Sequence, residues 1–301
     1  MKKLLLKIYY YLLGVKDKVI IFYNKNITEK RIPPKVIDTD KTLDKIINNK
    51  CSVSRFGDGE FSLIHGEALK FQPANKEISQ KLKEILNSDR ENHIVCIPNV
   101  FKEIDWATEN AKAYWIKYLR LNRNKIYRIL NFNKTYYDAL VTRLYMDLEN
   151  KELVKERFEK IKLIWKDREI VIVEGEKSRL GIGNDLFDST KSIERIICPS
   201  INAYSKYNEI FKEIIERDKS KLILISLGPT ATILAYDLSN QGYHAIDIGH
   251  IDIEYEWFLQ KAIKKSPVKN KYIGEVQNGD IVQELENELY FSQIIVRIWG
   301  E

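Results

Sequence analysis

"EIVIVEG", residues 169–175, and "KLILISLG", residues 221–228, decide the fold. Both are apolar at successive positions instead of alternating with polar ones, and both are rich in β-branched side chains. A strand with one wet face alternates. A run that is apolar on both sides needs cover on both, which a parallel sheet flanked by helices provides. The same signal recurs outward from these two runs, at "CSVSRF" (51–56), "HIVCIP" (93–98), "YRILNF" (127–132), "ALVTRLY" (139–145), "IERIICPS" (193–200) and "YHAIDIG" (243–249). Between most of them lie charged segments of helical period, such as "NKEISQKLKEILNS" (75–88) and "YNEIFKEIIERDKS" (207–220). The pattern predicts an α/β, Rossmann-like domain over residues 32–265, a mostly parallel sheet with helices on both faces. Residues 1–31 read as a basic, apolar helical extension, and 266–301 as a C-terminal extension packed on the domain.

Composition narrows the classes. The 301 residues are 44% apolar and 31% charged, which is ordinary globular usage and enough for a large core. The net charge of +6 is scattered, without the dense basic stripe that nucleic-acid binding wants, so no nucleic-acid partner is expected. Cys51, Cys96 and Cys198 stand far apart with no paired spacing, which argues against a zinc site or a disulfide scaffold and fits a reducing cytoplasm. The first 26 residues, "MKKLLLKIYYYLLGVKDKVIIFYNKN", are apolar but broken by Lys7, Lys16 and Lys18, short of the roughly 20 unbroken residues a membrane span requires. No small-residue cleavage site follows them. Two readings stay open, a helix packed on its own domain and a helix at an anionic membrane surface. The expected location is the cytoplasm, and under the second reading the inner face of the membrane.

In parallel sheets, ligands gather beyond the carboxyl ends of the strands, and several exits here carry chemistry. "SRFGDGEF" (54–61) sets Asp58 and Glu60 one residue apart on a glycine elbow. If that backbone stays extended, the two carboxylates share a side and suit Mg²⁺ or Mn²⁺ with waters and a phosphate, and Arg55 is a partner for a phosphate or for one of the acids. "VIVEGEKSRLGIGNDLF" (171–187) brings Arg179, Gly183 and Asn184 to a helix expected from residue 184 or 185, an anion site in outline. It lacks the dinucleotide G-x-G-x-x-G spacing. "LGPTATILAYDL" (227–238) has Gly228, then Pro229 at a first helical turn, then Thr230 and Thr232, a cradle for a diphosphate but no Walker loop. "HAIDIGHIDIEYEW" (244–257) offers His250, Asp252 and Glu254 for proton transfer, and "CPSINAY" (198–204) offers Asn202 to a base or sugar pocket.

Five blocks, "SRFGDGEF", "EGEKSRLGIGNDLF", "CPSINAY", "LGPTATILAYDL" and "GYHAIDIGHIDIEYEW", together resemble the GT-D-type glycosyltransferases, bacterial enzymes of glycan assembly, over roughly residues 32–259. The resemblance implies a nucleoside-diphosphate sugar donor such as UDP-glucose, and a D-x-E element, here Asp58-Gly59-Glu60, that holds Mn²⁺ or Mg²⁺ with the diphosphate. On this reading Arg55, Arg179, Gly183, Asn184, Asn202, Gly228, Thr230 and Thr232 hold the donor. Asp252 or Glu254, with His250 nearby, activates the acceptor hydroxyl of a glycan, a glycoprotein or a lipid-linked saccharide. The rival reading is a catalytically silent sugar-nucleotide-binding or scaffold subunit. Such a subunit tolerates loss of one D-x-E acid, and both are present.

Overall fold

A computed structural model describes residues 2–300, with side chains from residue 11 onward. Nine strands form one sheet: β1 (Lys35–Val36), β2 (Ser52–Arg55), β3 (His93–Ile97), β4 (Thr135–Asp138), β5 (Glu169–Gly175), β6 (Ser192–Cys198), β7 (Leu222–Ser226), β8 (His244–Asp247) and β9 (Ile294–Arg297). Their order is β1-β4-β3-β2-β8-β7-β5-β6-β9, and every pairing is parallel. The helices are α1 (Lys2–Tyr23), α2 (Thr39–Asn49), α3 (Asp58–Ile64), α4 (Lys76–Asn87) and α5 (Glu109–Tyr127) in the first half. In the second half come α6 (Val154–Lys162), α7 (Tyr207–Ile215), α8 (Pro229–Asn240), α9 (Ile251–Leu259) and α10 (Glu288–Gln293).

The unbroken apolar runs do what their pattern requires. In β5, Ile170 and Ile172 point into one core layer while Val171 and Val173 point into the other, and all four are fully buried. Leu222 and Leu224 of β7 likewise oppose Ile223 and Ile225. One layer is closed by α2, α6 and α9, with Trp165 and Trp257 among its fully buried rings. The other face is closed by α4, α5, α7 and α8. Burying each large side chain contributes about 1.5–3 kcal/mol against chain entropy.

Two expected strands are absent. "YRILNF" begins on the last residue of α5 and continues as turns, because Ile126, Tyr127 and Leu130 face the core at helical spacing. "ALVTRLY" opens as a 3₁₀ turn (Ala139–Thr142), started by the Asp138 carboxylate accepting from the Leu140 N–H at 2.9 Å. The strand β4 lies between these two runs. At the chain's other end, residues 294–297 supply an edge strand beside β6, so the C-terminal segment is part of the sheet.

The N-terminal helix α1 leads into a π turn (Asn24–Thr28) that is pinned to α5. The buried Asn24 side chain donates to the Arg120 carbonyl at 2.7 Å and accepts from the Asn124 N–H at 2.9 Å. Among the described residues, no helix is long and apolar enough to cross a membrane.

Candidate active site

The half of the sheet built from early strands meets the later half where β2 lies beside β8. Such a meeting leaves a crevice at the carboxyl ends of the strands. Arg55, the last residue of β2, reaches across it. Its Nε donates to the Asp247 carbonyl at 2.9 Å, its Nη2 pairs with Asp247 Oδ1 at 2.9 Å, and its Nη1 donates to the Ala139 carbonyl at 3.2 Å. Thr232, in α8, donates to the Arg55 carbonyl at 2.8 Å and lies 3.3 Å from Asp247 Oδ2. Arg55 therefore serves one of the acids, and that acid is Asp247, which the sequence presented only as the end of a strand.

Asp58 and Glu60 stand at the mouth of this crevice, though not on an extended elbow. Helix α3 begins at Asp58, so the two acids occupy its first turn and leave in different directions. The Glu60 carboxylate turns back to accept from the Gly57 N–H at 2.6 Å. Asp58 accepts from the hydroxyl of Tyr114, on α5. Burial pushes the Glu60 carboxyl up to about 7, and repulsion from Asp247 and Asp58 adds to it. Neither Asp58 nor Glu60 has an ion pair among the described residues. A divalent cation would relieve this repulsion, and two hard carboxylates leave room for waters and a phosphate. Among the described residues, no third His, Cys, Asp or Glu converges with them as a ready ligand.

On the facing side lies a charged group with no sequence signature. Arg143 forms a two-pronged pair with Glu275, Lys265 Nζ is 3.0 Å from the same carboxylate, and His250 Nε2 is 3.6 Å from it. Burial opposes ionisation of Glu275, but Arg143 beside it holds the carboxyl far below the usual range. Burial holds the His250 imidazole down to about 4, with Arg143 adding to the effect, so it is a neutral base. Its side chain keeps 40% exposure. Tyr114 feels the charges of Asp58, Glu275 and Arg143 together, which joins the two sides of the crevice.

Helix α8 points its N-terminus at the same place. Gly228 caps it with φ 53°, Pro229 follows, and the Thr230 hydroxyl is buried with no hydrogen-bond partner. The Phe71 ring lies where a side chain on Gly228 would go. Asn202 ties this loop down, its N–H donating to the Phe71 carbonyl at 2.7 Å and its Oδ1 accepting from Gln72 at 3.0 Å.

Of the remaining expected residues, Arg179, Asn184 and Asp252 meet in a polar cluster under the segment 266–283. No helix starts at residue 184 or 185, and residues 176–191 run as turns. Gly183 is exposed there with φ 85°. Asn184 donates to Asp252 and Glu256, both at 2.8 Å, and Lys271 Nζ pairs with the same two acids at 2.7 and 2.8 Å. Arg179 is buried and donates to the carbonyls of Asn270 and Gln283 at 3.0 and 2.8 Å, stapling that segment. Glu254 is fully buried and accepts from the N–H groups of Tyr145 and Met146 at 2.9 and 2.8 Å. Helix α9 starts at Ile251, so the acids of this exit do not line one extended face. Both oxygens of Asp252 are taken by Lys271, and Glu254 Oε1, which has no hydrogen-bond partner, is fully buried 3.8 Å from Arg143 and closed to an acceptor, so of the three only His250 opens on the crevice.

The glycosyltransferase GT-D fold model matches residues 53–276. The chain is 40% identical over 260 residues to glycosyltransferase GlyD of Streptococcus pneumoniae serotype 4, covering 86% of this chain and 32% of that one. To the probable glycosyl transferase Gly of Streptococcus gordonii it is 39% identical over 267 residues, 88% of this chain and 39% of the relative. The chain thus spans about a third of the length of these curated relatives. The solved structure of a new glycosyltransferase, a domain of unknown function 1792 from Streptococcus sanguinis, superposes with a TM-score of 0.85 at 38% identity, covering 89% of this chain and all of that one.

Proposed function

The chain belongs to the glycosyltransferase GT-D fold family, and from that premise we propose that it transfers a sugar from a nucleoside-diphosphate donor, UDP-glucose or a close analogue, to a hydroxyl of a glycan, glycoprotein or lipid-linked saccharide. The observation that carries the reading is the pair Asp58 and Glu60, two carboxylates at the crevice mouth with no ion pair among the described residues and with Glu60 pushed up to about 7 by burial and by Asp247 and Asp58. Asp58 and Glu60 would hold Mn²⁺ or Mg²⁺. When bound, that ion supplies charge neutralisation to the diphosphate leaving group.

The chain's own groups do the rest. The α8 N-terminus, capped by Gly228, would offer its partial positive charge to the diphosphate. Arg55 and Thr232 hold Asp247 and the end of β2 in place, so the D-x-E turn starts from a fixed point. Tyr114 orients Asp58. His250, neutral and oriented beside Glu275, accepts the proton of the acceptor hydroxyl.

Thermal melts with UDP, with and without Mn²⁺, test the reading. At about 100 times Kd a ligand adds roughly 2.7 kcal/mol of stability. The expected result is a shift with UDP that needs Mn²⁺ and disappears in Asp58→Ala, together with turnover. His250→Gln should keep the shift and lose transfer. A shift unaltered by Asp58→Ala overturns the metal role, and normal turnover in His250→Gln removes His250 from the mechanism. A parent chain that binds UDP but transfers nothing to any acceptor favours the silent subunit.

A further inference from the structure

Outside the crevice, α1 and its π turn make a second concavity with α5. It encloses about 320 Å³, within the range of small-ligand sites. Four cations line it, Lys25, Lys102, Arg120 and Arg123, against one acid, Glu29. Arg123 Nη2 lies 3.7 Å from Glu29, and Lys102 pairs with Glu103 at 2.7 Å. Lys25 and Arg120 are left exposed and without an ion pair among the described residues. Ile21, Val100, Ile104, Ile116 and Leu119 give the cleft an apolar wall, beside the polar Asn24. A cleft with two spare positive charges and an apolar wall suits an anion joined to a hydrocarbon chain.

The helix beside it has matching chemistry. Leu12, Val15, Val19 and Phe22 recur every three or four residues along α1 and are 59%, 41%, 62% and 68% exposed. From residue 11 to 25 the charged groups are Lys16, Lys18 and Lys25 against Asp17 alone. An exposed apolar stripe flanked by lysines, whose stems reach along apolar surface while their ammonium groups stay wet, is how a helix lies in a lipid interface. Half-buried Leu13, Ile20 and Ile21 turn away from this stripe.

We propose that the cleft between α1 and α5 binds the phosphate of an anionic membrane phospholipid, with Lys25 and Arg120 on the headgroup, the apolar wall against its first methylenes and the exposed stripe of α1 in the interface. The site is independent of the donor crevice. It would hold the transferase against a membrane, and α5, which walls the cleft, also carries Tyr114, whose hydroxyl donates to Asp58 of the D-x-E turn.

Flotation of the full chain with vesicles tests the proposal. The chain should float with phosphatidylcholine vesicles containing phosphatidylglycerol and not with phosphatidylcholine alone. Lys25→Glu with Arg120→Glu should weaken this at least about tenfold, since each basic group near an anionic surface is worth about 1 kcal/mol. Val19→Ser with Phe22→Ser should weaken it as well. Both double variants alter exposed side chains and should keep the UDP and Mn²⁺ thermal shift of the parent; loss of that shift in the parent itself would bear on the donor crevice and not on this cleft. Soluble dihexanoyl phosphatidic acid should raise the melting temperature where inorganic phosphate does not. Equal shifts with both reduce the cleft to a free-phosphate site and overturn the lipid assignment. Equal binding to neutral and anionic vesicles overturns the role of the cations. A dimer that Val19→Ser with Phe22→Ser dissociates, with no vesicle binding, assigns the stripe to a second copy and overturns the proposal.

Discussion

Gly249 lacks a side chain because Arg55 fills the space one would need. A Cβ there would sit 1.8 Å from Arg55 Nη2, and the backbone is already at φ 45°. The Gly249 N–H also donates to Asp247 Oδ1 at 3.1 Å, the oxygen that Arg55 holds. A single methyl would therefore impose a left-handed conformation on alanine, about 1–2 kcal/mol, and push a buried arginine off its carboxylate, where breaking a buried pair costs about 3–5 kcal/mol. Gly249→Ala should lose about 3 kcal/mol or more in urea unfolding and weaken the UDP shift even where it stays folded. Parent-like stability would mean that Arg55 is free to move. The sequence carried part of this. Arg55 was legible as a partner for an acid or a phosphate, but Asp247 was indistinguishable from any polar residue ending a strand. Tyr114, Arg143 and Glu275 were invisible, since their place beside Asp58 and His250 comes from elements far apart in the chain.

At the scale of elements, the C-terminal α10–β9 unit shows what short pieces can hold. It covers the edge of β6 and completes the surroundings of Arg195, which is buried on Glu174 at 2.6 Å. Gln293 accepts from Arg195 Nε at 2.8 Å, and the buried Tyr290 ring lies 5.0 Å from its guanidinium. A chain ending at Asn287 would leave a buried cation short of a partner and expose a strand edge that can pair with other chains. Size-exclusion chromatography and thermal melting of residues 1–287 should show aggregation and a melting temperature lower by several degrees. A monomer with the parent's melting temperature would show that β9 adds nothing to the sheet. Three of the short strands were not legible: Lys35–Val36, Thr135–Asp138 and Ile294–Arg297 have two to four residues each and take their conformation from a neighbour. The long central runs at 169–175 and 221–228 needed no such help. "YRILNF" failed as a strand for the opposite reason, since its aromatic and branched residues pack equally well on the last turn of a helix.

For the whole molecule, the same burial that builds the crevice sets two groups of titrating side chains against each other. The chain has four histidines. Burial holds His93 and His244 down to about 3. Unfolding frees each to ionise near pH 6.5, so below that pH the unfolded chain binds more protons. Their contribution to stability is complete above pH 6.5 and is lost as pH falls toward 3. Buried acids act the other way. Burial raises Glu60 to about 7 and Asp138 to about 6, so their contribution is complete below the ordinary carboxyl range and fades as pH rises through those values. The parent's melting temperature then varies little between pH 5 and 7, because opposite slopes cancel, and single variants uncover them. His93→Gln can keep a hydrogen bond to Ser54 Oγ, which lies 2.9 Å from His93 Nε2, and should lose less stability than the parent on going from pH 7 to pH 5. Asp138→Asn should lose more, having given up a group that favours acid. Melting temperatures of the three proteins at the two pH values decide the matter, and a shift of the same sign in both variants would mean that burial does not govern these ionisations.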